Sequence, residues 1–195
     1  MDKDKNKSLE LLKEVNNRFV TACIFHREQR DLFCFLAMNG FEEWHNFQYV
    51  SESREQLLVK KFIIEHCGVA PQDEIPESAN ALAPLIGTKK RTELKADQRW
   101  GIVKQSWESY LRWEKDTLAV YSSVAKELFE CGDIVAYNFI SEIVGDVNKE
   151  IAEVTNILLD MIGYDWDLSQ ISVIQDTIAE KRVFMLRKLY ENYKI

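Results

Sequence analysis

The 195-residue chain is 46% hydrophobic and 29% charged, with a net charge of −7, a balance that builds a buried core and excludes a disordered or collagen-like polymer. The acidic excess and the lack of any basic cluster argue against nucleic acid as a partner. No apolar run has the length of a bilayer-spanning helix, and Met1 to Ser8 lacks the apolar stretch of a secretory leader, so no membrane association and a cytoplasmic location are expected.

The first helix is expected from about Ser8 to Ala37, with Ser8 as its cap and Leu12, Val15, Phe19, Ala22, His26 and Phe33 along one face. Gly40 stands where that periodicity stops, as Gly68, Gly132 and Gly163 do later, and each reads as a helix-ending glycine. The second helix runs over 41–66 and ends at His66, a cation placed to meet the helix dipole. Segment 69–94 follows and holds all three prolines, Pro71, Pro76 and Pro84. Long structureless segments are uncommon in compact domains. Extended chain covers roughly 3.3 Å per residue, enough for this one to run the length of a bundle. The third helix is expected over 95–131 and the fourth over 134–162. A fifth covers 168–193, with Ile171, Ile174, Ile178, Met185 and Leu189 on one side. Tight links within the first two and the next two helices force antiparallel neighbours. The expected fold is therefore all-α, a four-helix bundle with one long crossover plus a fifth helix, in a single domain 1–195. Cys23, Cys34, Cys67 and Cys131 form no C-x-x-C pair and read as reduced, packed thiols.

Four carboxylates lie on or beside the apolar stripes of these helices. Glu52 and Glu55 share a stripe with His45, Gln48, Val59 and Phe62. Glu114 interrupts the run Trp107, Tyr110, Thr117, Tyr121, Val124, Leu128, and Asp146 sits between Glu142 and Glu150 on the fourth helix. A buried charge without a partner is too costly to keep. Either a cation sits among these acids, salt bridges from Arg30, Arg54 or Lys115 neutralise them, or they form a solvated stripe. At 1.5 Å of rise per residue, Glu52 and Glu55 lie about 18–22 Å into their helix and Asp146 about 21 Å into its own. Glu114 lies about 27 Å from the end of the third, so the four converge near mid-bundle. Glu42 and His45 have the familiar E-x-x-H spacing but stand only about 7 Å in, and are set aside. Glu150 and Glu153 read as solvent-facing or channel-lining. Tyr110 and Tyr121 read as packed aromatics, with hydrogen-bond or electron donation as the alternative. Gly145 leaves room for a ligand or for close helix packing.

These residues resemble ferritins. Gly40-Phe41 opens the second helix twelve positions before Glu52, as in the ferritin segment that leads to a metal-ligand glutamate. Trp113-Glu114-Lys115 is similar to the His-Glu-Lys of the third ferritin helix, and Asp133 with Asn138-Phe139 to the start of the fourth. The fourth-helix glutamate of bacterial ferritins corresponds to Asp146. The resemblance implies a ferritin-like fold of the bacterial non-haem type, covering about Gly40 to Ile162. Two positions depart from the pattern: Glu55 stands for the usual histidine, and Phe19 for the first-helix glutamate. His26, two turns beyond Phe19, stands where ferritins often carry a tyrosine.

The resemblance implies a di-metal centre of Glu52, Glu55, Glu114 and Asp146; His26 or His45 could restore one nitrogen ligand, neither being placed by the alignment, and His26 is taken as the candidate. Glutamates at i and i+3 share a helix face, so Glu52 and Glu55 can hold one metal or bridge two. Oxygen donors suit manganese and other hard divalent cations, and imidazole shifts the preference toward iron. With iron the implied activity is a ferroxidase, oxidising Fe(II) with dioxygen, with Glu52 and Glu114 central to catalysis, in a homo-oligomeric storage shell. The alternatives are a ferritin-fold assembly protein that has lost catalysis, and a helical adaptor using the 168–193 stretch.

Overall fold

The computed structural model describes residues 3–82 and 88–192; Pro84 and Tyr193 lie outside the described residues, as does the Leu189 side chain. The chain forms α1 (Lys3–Leu36), α2 (Asn39–Cys67), α3 (Ala96–Glu130), α4 (Ile134–Gly163) and α5 (Leu168–Asn192), with a 3-10 turn at Arg91–Glu93. No strand occurs among the described residues. No helix there is long and apolar enough to cross a membrane. Ser8, expected as a cap, lies within α1 instead, buried with its hydroxyl 3.7 Å from the Cys131 thiol.

Contacts divide the chain into two compact units. The first comprises Met1–Thr21, Ser53–Ile75 and Ser109–Asn156. Its core joins Leu12, Val15 and Phe19 of α1 to Val59 and Ile63 of α2, Tyr121 and Leu128 of α3, and Ile140 of α4. Each such side chain contributes roughly 1.5–3 kcal/mol when fully buried. Asp73 fastens the start of the α2–α3 crossover: it accepts from Asn16 Nδ2 at 3.1 Å, Gln56 Nε2 at 3.1 Å and Lys60 Nζ at 2.6 Å. Gly132 ends α3 with φ +84° and Gly68 ends α2 with φ +72°, the left-handed geometry a glycine adopts without strain.

The second unit comprises Ala22–Glu52, Pro76–Glu108 and Ile157–Ile195. Here Glu28 holds the crossover, its carboxylate accepting from Ser78 Oγ and from the Ala79 and Asn80 amides at 2.8–3.1 Å. The helix α5 docks on α2 through Arg182, which is 2% exposed and lays its guanidinium 3.7 Å over the Trp44 ring and 4.8 Å from Phe47. A stacked, desolvated cation of this kind adds on the order of 2 kcal/mol.

Gly40 has a different task from the one its sequence position suggests. The left-handed residue that ends α1 is Ala37, at φ 59°, with the Met38 amide reaching back to the Phe33 carbonyl at 2.9 Å. Gly40 lies in the first turn of α2, where a Cβ would stand 2.1 Å from the Gln175 carbonyl oxygen of α5. It is the contact point between two backbones. Gly163 likewise does not turn the chain; Asp165 and Trp166 do, at φ 47° and 57°. A Cβ at Gly145 would meet nothing within 4 Å, so that glycine does not serve close packing among the described residues.

Chemical denaturation checks this contrast. Gly40→Ala lowers stability by about 1–3 kcal/mol, the range for forced overpacking. Gly145→Ala raises it by about 0.5–1 kcal/mol, the helix-propensity difference.

Candidate metal centre

The third helix carries the site because its apolar stripe is unbroken on either side of one acid. Trp107, Tyr110, Thr117, Tyr121, Val124 and Leu128 are all buried, and the same spacing leaves Glu114 3% exposed. In the first unit its carboxylate lies within 4.8 Å of that of Glu150 from α4. Burial and the Glu150 charge push the Glu114 carboxyl well above its ordinary value, the Arg18 cation opposes them, and Glu55 adds to the rise. Burial and charge act on this carboxyl, with no hydrogen bond among the causes. Tyr110, fully buried one turn before Glu114, donates its hydroxyl to the Glu150 carboxylate.

Arg18 is the cation beside this acid pair, and sequence reasoning passed over it in favour of Arg30, Arg54 and Lys115. Its guanidinium lies 3.6 Å over the Trp113 ring, with Nε donating to Thr117 Oγ1 at 2.8 Å and a terminal nitrogen to the Trp113 carbonyl at 3.2 Å. The signal was present in the sequence: Arg18 directly precedes Phe19 on the inward face of α1. Arg30 pairs instead with Asp31 at 2.8 Å.

The second unit holds two of the three histidines. His26 and His45 are both fully buried, with their Nδ1 atoms 3.0 Å apart. Burial pushes His26 down to about 3. His45 also falls well below its ordinary range, through burial first and then the neighbouring His26 and Arg182. Both rings are therefore neutral at pH 7, and the short Nδ1 contact requires one to donate and the other to accept. Phe33 stacks on His45 at 5.4 Å and Trp107 lies 5.8 Å away, so the pair sits inside an aromatic wall.

The remaining expected residues fall in different settings. Glu52 and Glu55 are half-buried, Glu52 in the second unit and Glu55 in the first. Asp146 is exposed and accepts from Lys149 at 2.7 Å, so the acid that α4 presents beside Glu114 is Glu150. The reason is angular: relative to buried Val147, Glu150 lies about 60° around the helix and Asp146 about 100°. Phe19 stacks on Tyr121 at 5.6 Å and fills its position with hydrocarbon. His66, in the last turn of α2 as its position suggested, stacks on Phe62 and meets Asp133 at 2.8 Å. None of the four cysteines forms a disulfide, and Cys34 is exposed.

Two carboxylates this close, one of them walled off from water, form an arrangement that gains from any cation placed between them. Oxygen donors alone would favour a hard divalent ion.

No family model matches the sequence, and no curated protein does. Solved structures do match. An engineered closed form of the Archaeoglobus fulgidus ferritin aligns with a TM-score of 0.72 at 15% identity, over 92% of this chain and 96% of that one. An open-pore ferritin from the same archaeon gives 0.73 at 16% identity, over 89% and 96%. A PmFTN variant soaked in iron gives 0.71 at 14% identity, over 87% and 97%. At these identities the likeness shows the fold. The chain is a divergent ferritin-like helical bundle, with the long crossover between α2 and α3 and α5 as its C-terminal fifth helix.

Thermal denaturation in the presence of chelator tests the cost of the buried acid. A carboxyl whose folded pKa is raised destabilises the fold above its unfolded value, here 4.5, and ceases to do so below it. Glu114→Gln therefore raises Tm at pH 7, and its advantage over the parent shrinks to nothing as pH falls through 4.5. A Tm gain that is the same at every pH would assign the effect to packing instead.

Proposed function

From the premise of a ferritin-like fold, we propose that this protein binds iron(II) through an intra-bundle carboxylate centre, oxidises it with dioxygen and retains the product. The observation that carries the reading is Glu114: a buried carboxyl, driven above its ordinary range, with a second carboxylate within 4.8 Å. The two carboxylates supply the oxygen donors that suit a hard cation, with the Arg18 guanidinium opposing their charge. Iron is here the substrate and cargo. The neighbours that share the fold are ferritins, and the PmFTN variant was soaked in iron, which favours iron over manganese or another divalent metal.

In this reading Glu114 and Glu150 hold the metal, and Glu55 supplies further negative charge from α2. Arg18 limits the charge of the empty pair and keeps the metal-free protein folded. Glu52 and Asp146 enter the proposal from their sequence positions alone, and His26 as a buried imidazole able to supply a nitrogen donor. A cytoplasmic homo-oligomer, arranged as a shell, belongs to the same proposal by analogy of fold.

A second reading is favoured by the Phe19–Tyr121 stack, which replaces a ligand position with packed hydrocarbon. It makes the chain a ferritin-fold assembly protein without oxidation chemistry.

Aerobic addition of iron(II) separates the two. The first reading expects oxidation in stoichiometric amount, slowed roughly tenfold or more in Glu114→Ala and Glu150→Ala, since loss of a ligand costs at least what loss of a supporting residue does. Glu52→Ala and His26→Ala, run in the same assay, test the sequence-derived ligands. No iron bound and no oxidation, with the oligomer intact by light scattering, supports the second reading.

A further inference from the structure

We infer that Tyr110 is a positioning residue for this centre: its hydroxyl holds Glu150 in the orientation that faces Glu114. The inference rests on the metal-binding reading above and adds to it a residue that acts through another.

Three observations carry it. Tyr110 is fully buried and donates to the Glu150 carboxylate. Glu150 is only half-buried, so its long side chain has a route to water and a reason to take it, because Glu114 lies within 4.8 Å. Glu114, by contrast, is buried and has no such route. Like charges repel, and without a restraint the exposed partner is the one that moves. A neutral phenol is the donor suited to that restraint. It stabilises an ionised carboxylate by a charge-assisted hydrogen bond without placing a second cation where a metal would sit. The ring itself is held by its place in the α3 stripe between Trp107 and Glu114, so the hydroxyl has a fixed origin. Tyr121, about two turns beyond Glu114, stacks on Phe19.

The test uses the full-length protein and cobalt(II), whose visible absorption reports its coordination, with binding followed by titration under chelator-free conditions. Tyr110→Phe keeps the ring and removes only the hydroxyl. The expected result is cobalt affinity reduced roughly 10-fold or more, with an altered visible band and a metal-free Tm close to that of the parent. Glu150→Gln tests the route: once Glu150 is changed, adding Tyr110→Phe should cause little further loss. Equal cobalt binding and an unchanged band in Tyr110→Phe would overturn the role of Tyr110 while leaving the metal centre standing. A full additional loss when both changes are combined would show that Tyr110 acts independently of Glu150, and would also overturn it. Absence of cobalt binding by the unmodified protein would remove the metal-binding reading itself, and this inference with it.

Discussion

The enclosure of Glu114 is the constraint on which the rest of the molecule turns. Moving an ionised carboxylate out of water costs several kcal/mol after relaxation, and a second carboxylate nearby adds to that cost. A protein of this size has a total stability of the order of 10 kcal/mol, so an arrangement of this kind is a large fraction of it. Three features offset the cost in the metal-free chain: a raised carboxyl pKa, the Arg18 guanidinium, and the hydroxyl that Tyr110 gives to Glu150. None of them removes it. A divalent cation would, and this is why the chemistry of the site points in one direction.

Each unit is fastened by contacts of its own. In the first unit the apolar core and the Asp73 knot fix α1, α2 and the beginning of the crossover. In the second, the aromatic wall around His26 and His45 keeps two imidazoles neutral, and Arg182 clamps α5 to α2 through Trp44. The Gly40 contact permits the same docking by letting two backbones meet. The long fifth helix is thus fastened at two points, by a cation on a ring and by the absence of a side chain.

Much of this was legible because a helix face repeats. Every residue named on the stripe from Trp107 to Leu128 is buried, Glu114 among them, and so is every residue named from Leu12 to Phe33, although that reading left out the equally buried Gln29 and Leu32. The five helices followed from the same periodicity. What was not legible depended on contacts between helices. Asp146 was chosen by counting from Asn138 along a family pattern, whereas the apolar series Ile140, Val147, Val154, Met161 already turns the inward face toward Glu150. Gly40 read as a terminator because sequence alone cannot show the approach of Gln175 from α5. Arg18 was missed for a related reason: an arginine beside a core phenylalanine looks solvated until a tryptophan is found beneath it. His45, set aside as too shallow in its helix, is fully buried, but its Nδ1 is engaged with His26.

The central claim is that the enclosed acid of α3, paired with Glu150, is a metal site. Anomalous diffraction from crystals soaked in iron(II), collected on either side of the iron absorption edge, tests it most directly. The account predicts an iron peak in contact with the carboxylates of both Glu114 and Glu150. Iron found only on exposed acids such as Asp146, with Glu114 and Glu150 left bare, would contradict it.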